Sequence, residues 1–562
     1  MQSYKEALFK VKRNFLIIGL TGYTGSGCTT CKKILESETQ PTIPNFESIP
    51  EYSTGYQDRD RRIYYKLANV WNYENIWHQF ISIEISTIIF GMALYQAIFE
   101  FVVLELNTIV SDLTPRDKET IKNIELLWSD NGKDKKNLEP AIEAYQIINS
   151  LYHKATATST QQMQEWGDNI RKYGRALCDK DELTIHPDNL FILPEAVRRL
   201  IKAFHEQKKT RHDDTPAHFV IDAFRNPFEI EYFKCRYSEF YLVGILRNQD
   251  ERRDAIKKEY SAFQKILNKE SGKGPDGNLK RKDNNISEWI TSQNIDECLQ
   301  KADMYIENTH DQGNIYPSLK FNIIKLISLV KKPGCIPPTR DERNMQYAMT
   351  ARQISGCISR QVGAAIINED GYAVGIGWND PPSGQTPCSL RTAKELITGG
   401  SPNVFSQYER SSDFITHLQS KYNKDVPFCF REEFADIEGS KKAEFTRALH
   451  AEENAFFQTL KTSSGTLRNL TLYTTSRTCQ LCAKKAYQLN VKRIVYIDDY
   501  SDIAIKQTIQ IGSKKIAVEK FQGITGQAYF KLFSSLIPEK DLIQLYLEPS
   551  GSQPSGESFC LP

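Results

Sequence analysis

Short apolar runs alternate with helical periodicities through the first 330 residues. FLIIG and its neighbours predict a strand, GLTGYTGSGCTT a glycine-rich turn, and CKKILESE a helix. HFVIDAFRNPFE (218–229) predicts a second strand ending in Asp222. FYLVGILR (240–247) and ADMYIEN (302–308) predict two more. Residues 60–205 read as mostly helical, with Trp, Tyr and Leu at helical spacings that suit a core better than a base-stacking platform. The most apolar stretch, ISTIIFGMALYQAIF (85–99), falls short of the roughly 20 residues that span a bilayer. It predicts a buried helix, in a core or a subunit interface. A helix at 316–331 leads to PGCIPPTRDE, where prolines and glycine mark a connection over 332–342. NMQYAMTARQISGC then predicts an amphipathic helix, and VGAAII and YAVGIGW a hairpin turning on NEDG. Residues 385–445 form a long polar insertion, and the Ser/Gly/Pro-rich end, 549–562, predicts disorder.

A length of 562 residues suits two or three domains. The expected division is 1–331, a linker at 332–342, 343–548, and the tail. Net charge is +2, so no global field points to nucleic acid or to a membrane. The twelve cysteines follow no regular framework and are expected as reduced thiols of a cytoplasmic protein. The basic loop at 265–283, with Lys280, Arg281 and Lys282, suits a solvated surface better than an RNA contact.

The chemistry concentrates between Leu449 and Lys485. LHAEENAF and TTSRTCQLCAKK give H-x-E, 26 intervening residues, then C-x-x-C. Two thiolates and an imidazole, from Cys479, Cys482 and His450, are three good zinc ligands that leave a fourth position for water. Glu452 is not needed as a ligand, and its carboxylate can take and return a proton. This pattern is the signature of the zinc nucleobase deaminases. A redox pair or a structural zinc site is the plainer reading, but a structural site needs a fourth Cys or His at short spacing, and none is nearby. Thr478 stands where the pattern usually has proline. Cys388, His417 and Cys429 are candidates for a second, structural zinc, although widely spaced.

In the N-terminal turn, Gly22 and Gly27 fit the glycines of G-x-x-x-x-G-K-[ST], and Thr29 fits the hydroxyl that usually holds magnesium. Gly25, Ser26 and Thr30 complete the candidate nucleotide-binding loop. Cys28 takes the lysine's place, and Lys32 and Lys33 lie about a turn further along, pointing elsewhere. Asp222 stands where such proteins hold the water shell of magnesium. These segments resemble the nucleoside monophosphate kinase branch of P-loop proteins. The resemblance implies a bound nucleotide with Mg2+, and the missing lysine argues against phosphoryl transfer.

From Met345 onward, about 200 residues resemble the deoxycytidylate deaminase family. CISRQVGAAI (357–366), HAEENAF and GIGWNDPPSG (375–384) carry the match, with Gly377, Asn379, Pro382 and Gly384 in place, Trp378 for Tyr and Asp380 for Gly. The resemblance implies a three-layer α/β/α fold, a hydrogen bond from Asn379 to the substrate sugar, and further substrate contacts at Gly363, Ala364, Trp378 and Ala451. The whole α/β architecture resembles the bacterial anti-phage deoxycytidine nucleotide deaminases, which join a P-loop kinase-like domain to a deaminase domain. That resemblance implies conversion of dCMP or dCTP to deoxyuridine nucleotides, silencing by a small RNA, and a homo-oligomer away from membranes. The alternatives are a deaminase of tRNA or single-stranded DNA, disfavoured by the near-neutral charge, and a bifunctional nucleotide kinase and deaminase.

Overall fold

The computed structural model describes residues 14–49, 57–74, 76–100, 106–129, 137–155, 160–178, 185–213, 215–256, 260–272, 286–308, 316–439, 445–462, 468–498 and 504–547. Lys280, Arg281, Lys282 and the segment 549–562 lie outside them. The chain divides into two compact units, 1–337 with 530–562, and 338–529. The first boundary falls between Pro337 and Pro338. The segment from Phe530 groups with the first unit rather than continuing the second.

The first unit holds five parallel strands in the order β5-β4-β1-β3-β2. They are β1 (Phe15–Thr21), β2 (Ile81–Glu84), β3 (Ala217–Phe224), β4 (Phe240–Leu246) and β5 (Met304–Glu307). Every residue of β4 is buried, the mark of a parallel strand covered on both faces. Helix α1 (Cys28–Leu35) follows β1 through the glycine-rich turn. The apolar run at 85–99 is helix α2 (Ile85–Phe99), largely buried. It packs with α3 (Glu139–Lys154) and α4 (Thr160–Tyr173). Among the described residues, no helix is long and apolar enough to cross a membrane.

The second unit has a five-stranded mixed sheet, ordered β10-β9-β8-β6-β7. Its strands are β6 (Gly363–Ile367), β7 (Ala373–Trp378), β8 (Thr471–Ser476), β9 (Arg493–Asp498) and β10 (Ala517–Lys520). Strands β6 and β7 form the anticipated hairpin. Its turn closes by Gly371 N donating to Asn368 O at 3.1 Å, with Gly371 at φ +90°.

Helices cover both faces of this sheet. Helix α5 (Arg340–Arg352) begins with a capping box between Thr339 and Glu342. It lies so close to β6 that a Cβ on Gly363 would stand 2.0 Å from Ala348 O. Ala364 points to the opposite face, by the two-residue alternation of a strand. Its antiparallel partner is Gly377.

The insertion folds into α6 (Ala393–Ile397), α7 (Ser412–Lys421) and α8 (Phe430–Glu438). These enclose a small core of Ala393, Leu396, Phe405, Phe414, Leu418 and Phe428. Beyond it come α9 (Ala451–Thr462) and α10 (Gln480–Gln488). Both pack on the Ala364 face, where Ala451, Ala455, Ala483 and Ala486 join Ile366, Leu472 and Ile494 in one core. The α/β/α layering of this unit follows.

Candidate functional site

Two helix beginnings meet on that face. His450 immediately precedes α9, and Glu452 is in its first turn. Cys479 is the N-cap residue of α10, with Cys482 in the following turn. His450 Nδ1 lies 3.2 Å from Cys479 Sγ and 3.5 Å from Cys482 Sγ. Tetrahedral zinc with ordinary Zn–N and Zn–S bonds sets an imidazole nitrogen about 3.5 Å from each sulfur. The three donors are therefore spaced as ligands of a single ion, and two thiolates with one imidazole are a fitting zinc donor set. A hydrogen bond shared by the sulfurs holds the Cys479 thiol far below its usual range and pushes that of Cys482 up. The contact with Cys479 in turn raises the His450 imidazole.

Glu452 is 4 % exposed. Burial pushes its carboxyl up to about 7, and Thr474 Oγ1 lies 3.4 Å from its Oε1. A carboxyl in that range both holds and releases a proton near neutrality.

His450, Glu452 and Cys479 open onto a cavity of about 490 Å3. Asn379 and Ala451 line it, whereas Gly363, Ala364 and Trp378 do not. Gly363 and Ala364 serve the packing of the sheet against its helices, and Trp378 O accepts from Asn454 Nδ2 at 3.2 Å. The Asn379 amide is largely engaged in the protein. Its Oδ1 accepts from Val362 N at 2.7 Å and Ser355 Oγ at 2.9 Å, and its Nδ2 donates to Arg360 O at 2.7 Å. One amide N–H remains for a ligand.

Four cavity arginines were not named from the sequence: Arg360, Arg431, Arg447 and Arg477. Arg360 pairs with Asp498. Arg477 stacks over Tyr496 at 4.6 Å and donates to its hydroxyl at 2.6 Å. Arg447 donates to Thr386 O at 3.1 Å. Arg431 pairs with Glu432 at 3.2 Å, and its buried Nε has no hydrogen-bond partner among the described residues.

Cys388, His417 and Cys429, the candidate second zinc set, do not come together among the described residues. Cys388 and Cys429 line the cavity, but His417 turns to Glu433, its Nε2 2.9 Å from Oε2. Among the described residues, the only other group with metal-donor spacing is His417, Glu433 and Asp436. There Lys421 already pairs with Glu433 at 2.9 Å and Asp436 at 2.7 Å.

In the first unit, Gly22, Gly25, Ser26 and Gly27 form the turn before α1, and Cys28, Thr29 and Thr30 begin the helix. Gly27 adopts φ +110°, and a Cβ there would stand 2.1 Å from Asn308 Nδ2. Thr29 Oγ1 donates to Asp222 Oδ2 at 3.4 Å. Burial, then the charge of Glu84, push the Asp222 carboxyl up to about 6. Lys32 turns away from the loop and pairs with Glu84, beneath the sheet edge. Thr24 N donates to Glu270 Oε1 at 3.1 Å, so a carboxylate of the protein already takes one N–H of the turn.

Residues 338–498 match the cytidine and deoxycytidylate deaminase zinc-binding region. They are a deaminase domain of that type. The chain is similar to the deoxycytidylate deaminase of Schizosaccharomyces pombe, 26 % identical over 169 residues, 30 % of this chain and 40 % of that enzyme. It therefore spans well under two thirds of the yeast enzyme's length. It is 28 % identical over 166 residues to the deoxycytidylate deaminase of Enterobacteria phage T2, covering 28 % of this chain and 78 % of the phage enzyme. The cyanophage S-TIM5 dCMP deaminase in complex with dCMP and dUMP aligns at 22 % identity over 33 % of this chain and 99 % of that one. Its TM-score is 0.20, a likeness that carries no argument.

Proposed function

We propose that the chain deaminates deoxycytidine nucleotides, dCMP or dCTP, to deoxyuridine nucleotides. One observation carries this reading: the buried Glu452 carboxyl stands beside the His450, Cys479 and Cys482 donor set in a cavity lined with arginines. Zinc held by those three residues supplies the Lewis acidity that makes water nucleophilic at neutral pH. Glu452 takes the proton released by the attacking water and delivers it to N3 of the cytosine ring. It then takes the second proton, from the hydroxyl that the water has left on C4, and passes it to the amino group as the C4–N bond breaks and ammonia leaves. Water is consumed and a uracil ring remains. The core beneath α9 and α10 fixes the carboxyl and the donors together, so no side chain must be recruited before the reaction.

Asn379 presents its remaining N–H to a sugar hydroxyl while its other groups pin the 360–362 segment. Arg431 and Arg447, from the insertion and the segment after it, suit the substrate phosphates, because guanidinium groups pair well with phosphate oxygens. Their position gives the insertion a part in substrate choice.

The first unit, in this reading, regulates the second. Its turn and the Thr29–Asp222 pair suit a nucleotide with Mg2+, and the missing lysine suits binding without phosphoryl transfer. Depletion of deoxycytidine nucleotides during phage infection, silencing by a small RNA, and a homo-oligomeric state complete the proposal. They rest on the resemblance of the architecture to the anti-phage deaminases.

The test is a panel of dCMP, dCTP, CMP and a cytosine-containing oligonucleotide with purified zinc-loaded protein. Activity on dCMP or dCTP that is abolished by Glu452→Ala at unchanged zinc content supports the reading. Activity on the oligonucleotide alone overturns it.

A further inference from the structure

A fully buried carboxylate of the first unit takes no part in the proposed deamination. Glu270 ends the helix Tyr260–Glu270. A charge so deeply buried is tolerated only where other groups satisfy it. Its partners belong to the glycine-rich turn and to the segment after β3. Thr24 N donates to both of its oxygens, at 3.1 and 3.3 Å, and the Thr24 hydroxyl donates to Oε1. Arg225 Nη1 donates to the same oxygen at 2.6 Å, and Arg225 Nη2 donates to Thr24 Oγ1 at 3.4 Å. A backbone N–H, a hydroxyl and a guanidinium are the donors that a phosphate group takes from a protein. Here a side-chain carboxylate takes all three.

The helix end is fastened to the turn at two successive residues. Glu270 holds Thr24, and Ser271 Oγ lies 3.2 Å from the hydroxyl of Tyr23. The Tyr23 hydroxyl also donates to Asp296, and Arg252 stacks over its ring at 4.6 Å. A Cβ on Gly25 would stand 3.0 Å from Arg252 O, so the chain lies against the turn on that side as well.

Arg225 matters because Cys28 fills the place of the usual lysine. Arg225 lines one cavity with Thr29 and Asp222, and its guanidinium is committed to Glu270. A phosphate arriving at the turn would compete with that carboxylate for Arg225 and be repelled by its charge.

We propose that Glu270 is a built-in competitor of phosphate: while its carboxylate holds Thr24 and Arg225, the turn is closed to a nucleotide, which binds only as the helix Tyr260–Glu270 lets go. The proposal rests on the reading of the first unit as a nucleotide-binding regulator and adds the device that keeps it empty until nucleotide is abundant. The apparent affinity is then that of the open turn, reduced by the fraction of molecules in which Glu270 has left.

The test is calorimetric titration of the full-length chain with ATP and Mg2+. Glu270→Gln keeps the shape and removes the charge, and should bind ATP roughly tenfold or more tightly than the wild type. Adding Thr29→Ala should remove that gain, which locates it at the turn. Circular dichroism verifies that each variant is folded. If Glu270→Gln does not fold, hydrogen exchange of the wild type, read by mass spectrometry, takes its place. At saturating ATP, exchange should slow in residues 22–30 and quicken in 260–272. The proposal is overturned if Glu270→Gln binds ATP no more tightly than the wild type, if its gain survives Thr29→Ala, or if 260–272 exchanges more slowly with ATP bound. In those cases, wild-type ATP binding that Thr29→Ala abolishes leaves the nucleotide reading standing. No ATP binding by either form overturns both.

Discussion

Asn379 Oδ1 accepts the backbone N–H of Val362 at 2.7 Å, so the residue that meets the cavity also holds the segment entering β6. Removing its amide orphans that N–H together with the Arg360 carbonyl. Asn379→Ala is expected to lower stability by about 1–3 kcal/mol and to raise KM for the nucleotide. Urea unfolding and steady-state kinetics measure the two effects. Asn379→Asp keeps the acceptor for Val362, so its stability should fall between those of the wild type and the alanine variant.

Strand β7 meets α9 through glycine. A Cβ on Gly377 would stand 2.2 Å from Ala451 O and 2.3 Å from Ala455 N, backbone atoms that do not yield. Gly377→Ala must push back the helix whose first turn carries Glu452. The expected cost is about 1–3 kcal/mol, with a loss of bound zinc measured by elemental analysis. The same substitution at Gly384, where a Cβ meets nothing within 4 Å, should leave zinc content unchanged. Any loss of stability there comes from its φ of +91° alone.

In the proposed reaction Glu452 moves protons and does not hold the ion. Glu452→Gln, similar in shape but unable to carry a proton, should lower kcat roughly 10²–10⁴-fold. Zinc content should remain at the wild-type value. Cys482→Ala should abolish both activity and zinc binding, and a chelator should reproduce that result in the wild type.

The raised Asp222 carboxyl has a consequence for stability. The folded protein keeps this proton to about pH 6, whereas an unfolded aspartate loses it near pH 4. Between those values the folded state binds more protons, so this group's contribution to stability declines as pH rises through 6. Asp222→Asn should remove the decline. Its thermal midpoint relative to the wild type should rise between pH 4.5 and pH 7.5, as scanning calorimetry would measure.

The meeting of His450, Cys479 and Cys482 was legible because the geometry is local. H-x-E and C-x-x-C each occupy one helix beginning, and the apolar periodicity around them shows that both helices lie on a sheet. The β6–β7 hairpin was legible for a similar reason, its turn chemistry being written in NEDG. The cavity arginines were not, since Arg360, Arg431, Arg447 and Arg477 come from separate segments that only the fold brings together. Gly363 and Ala364 read as substrate contacts, yet they stand where sheet and helices approach closely, and a small residue in a motif looks alike in both roles. The insertion read as polar. Its six core positions are spread over 36 residues, too sparsely to produce a periodic signal.

Lys485 in α10 forms an ion pair with Glu453 in α9, one residue beyond Glu452. That tie joins the helix that begins after His450 to the helix that begins after Cys479. The shared core and this ion pair both hold α9 against α10, so the imidazole and the thiols are spaced by contacts made away from the donors themselves. A substitution that parts the two helices, Lys485→Ala among them, is therefore expected to disturb the spacing of His450 from Cys479 and Cys482 without touching any of the three.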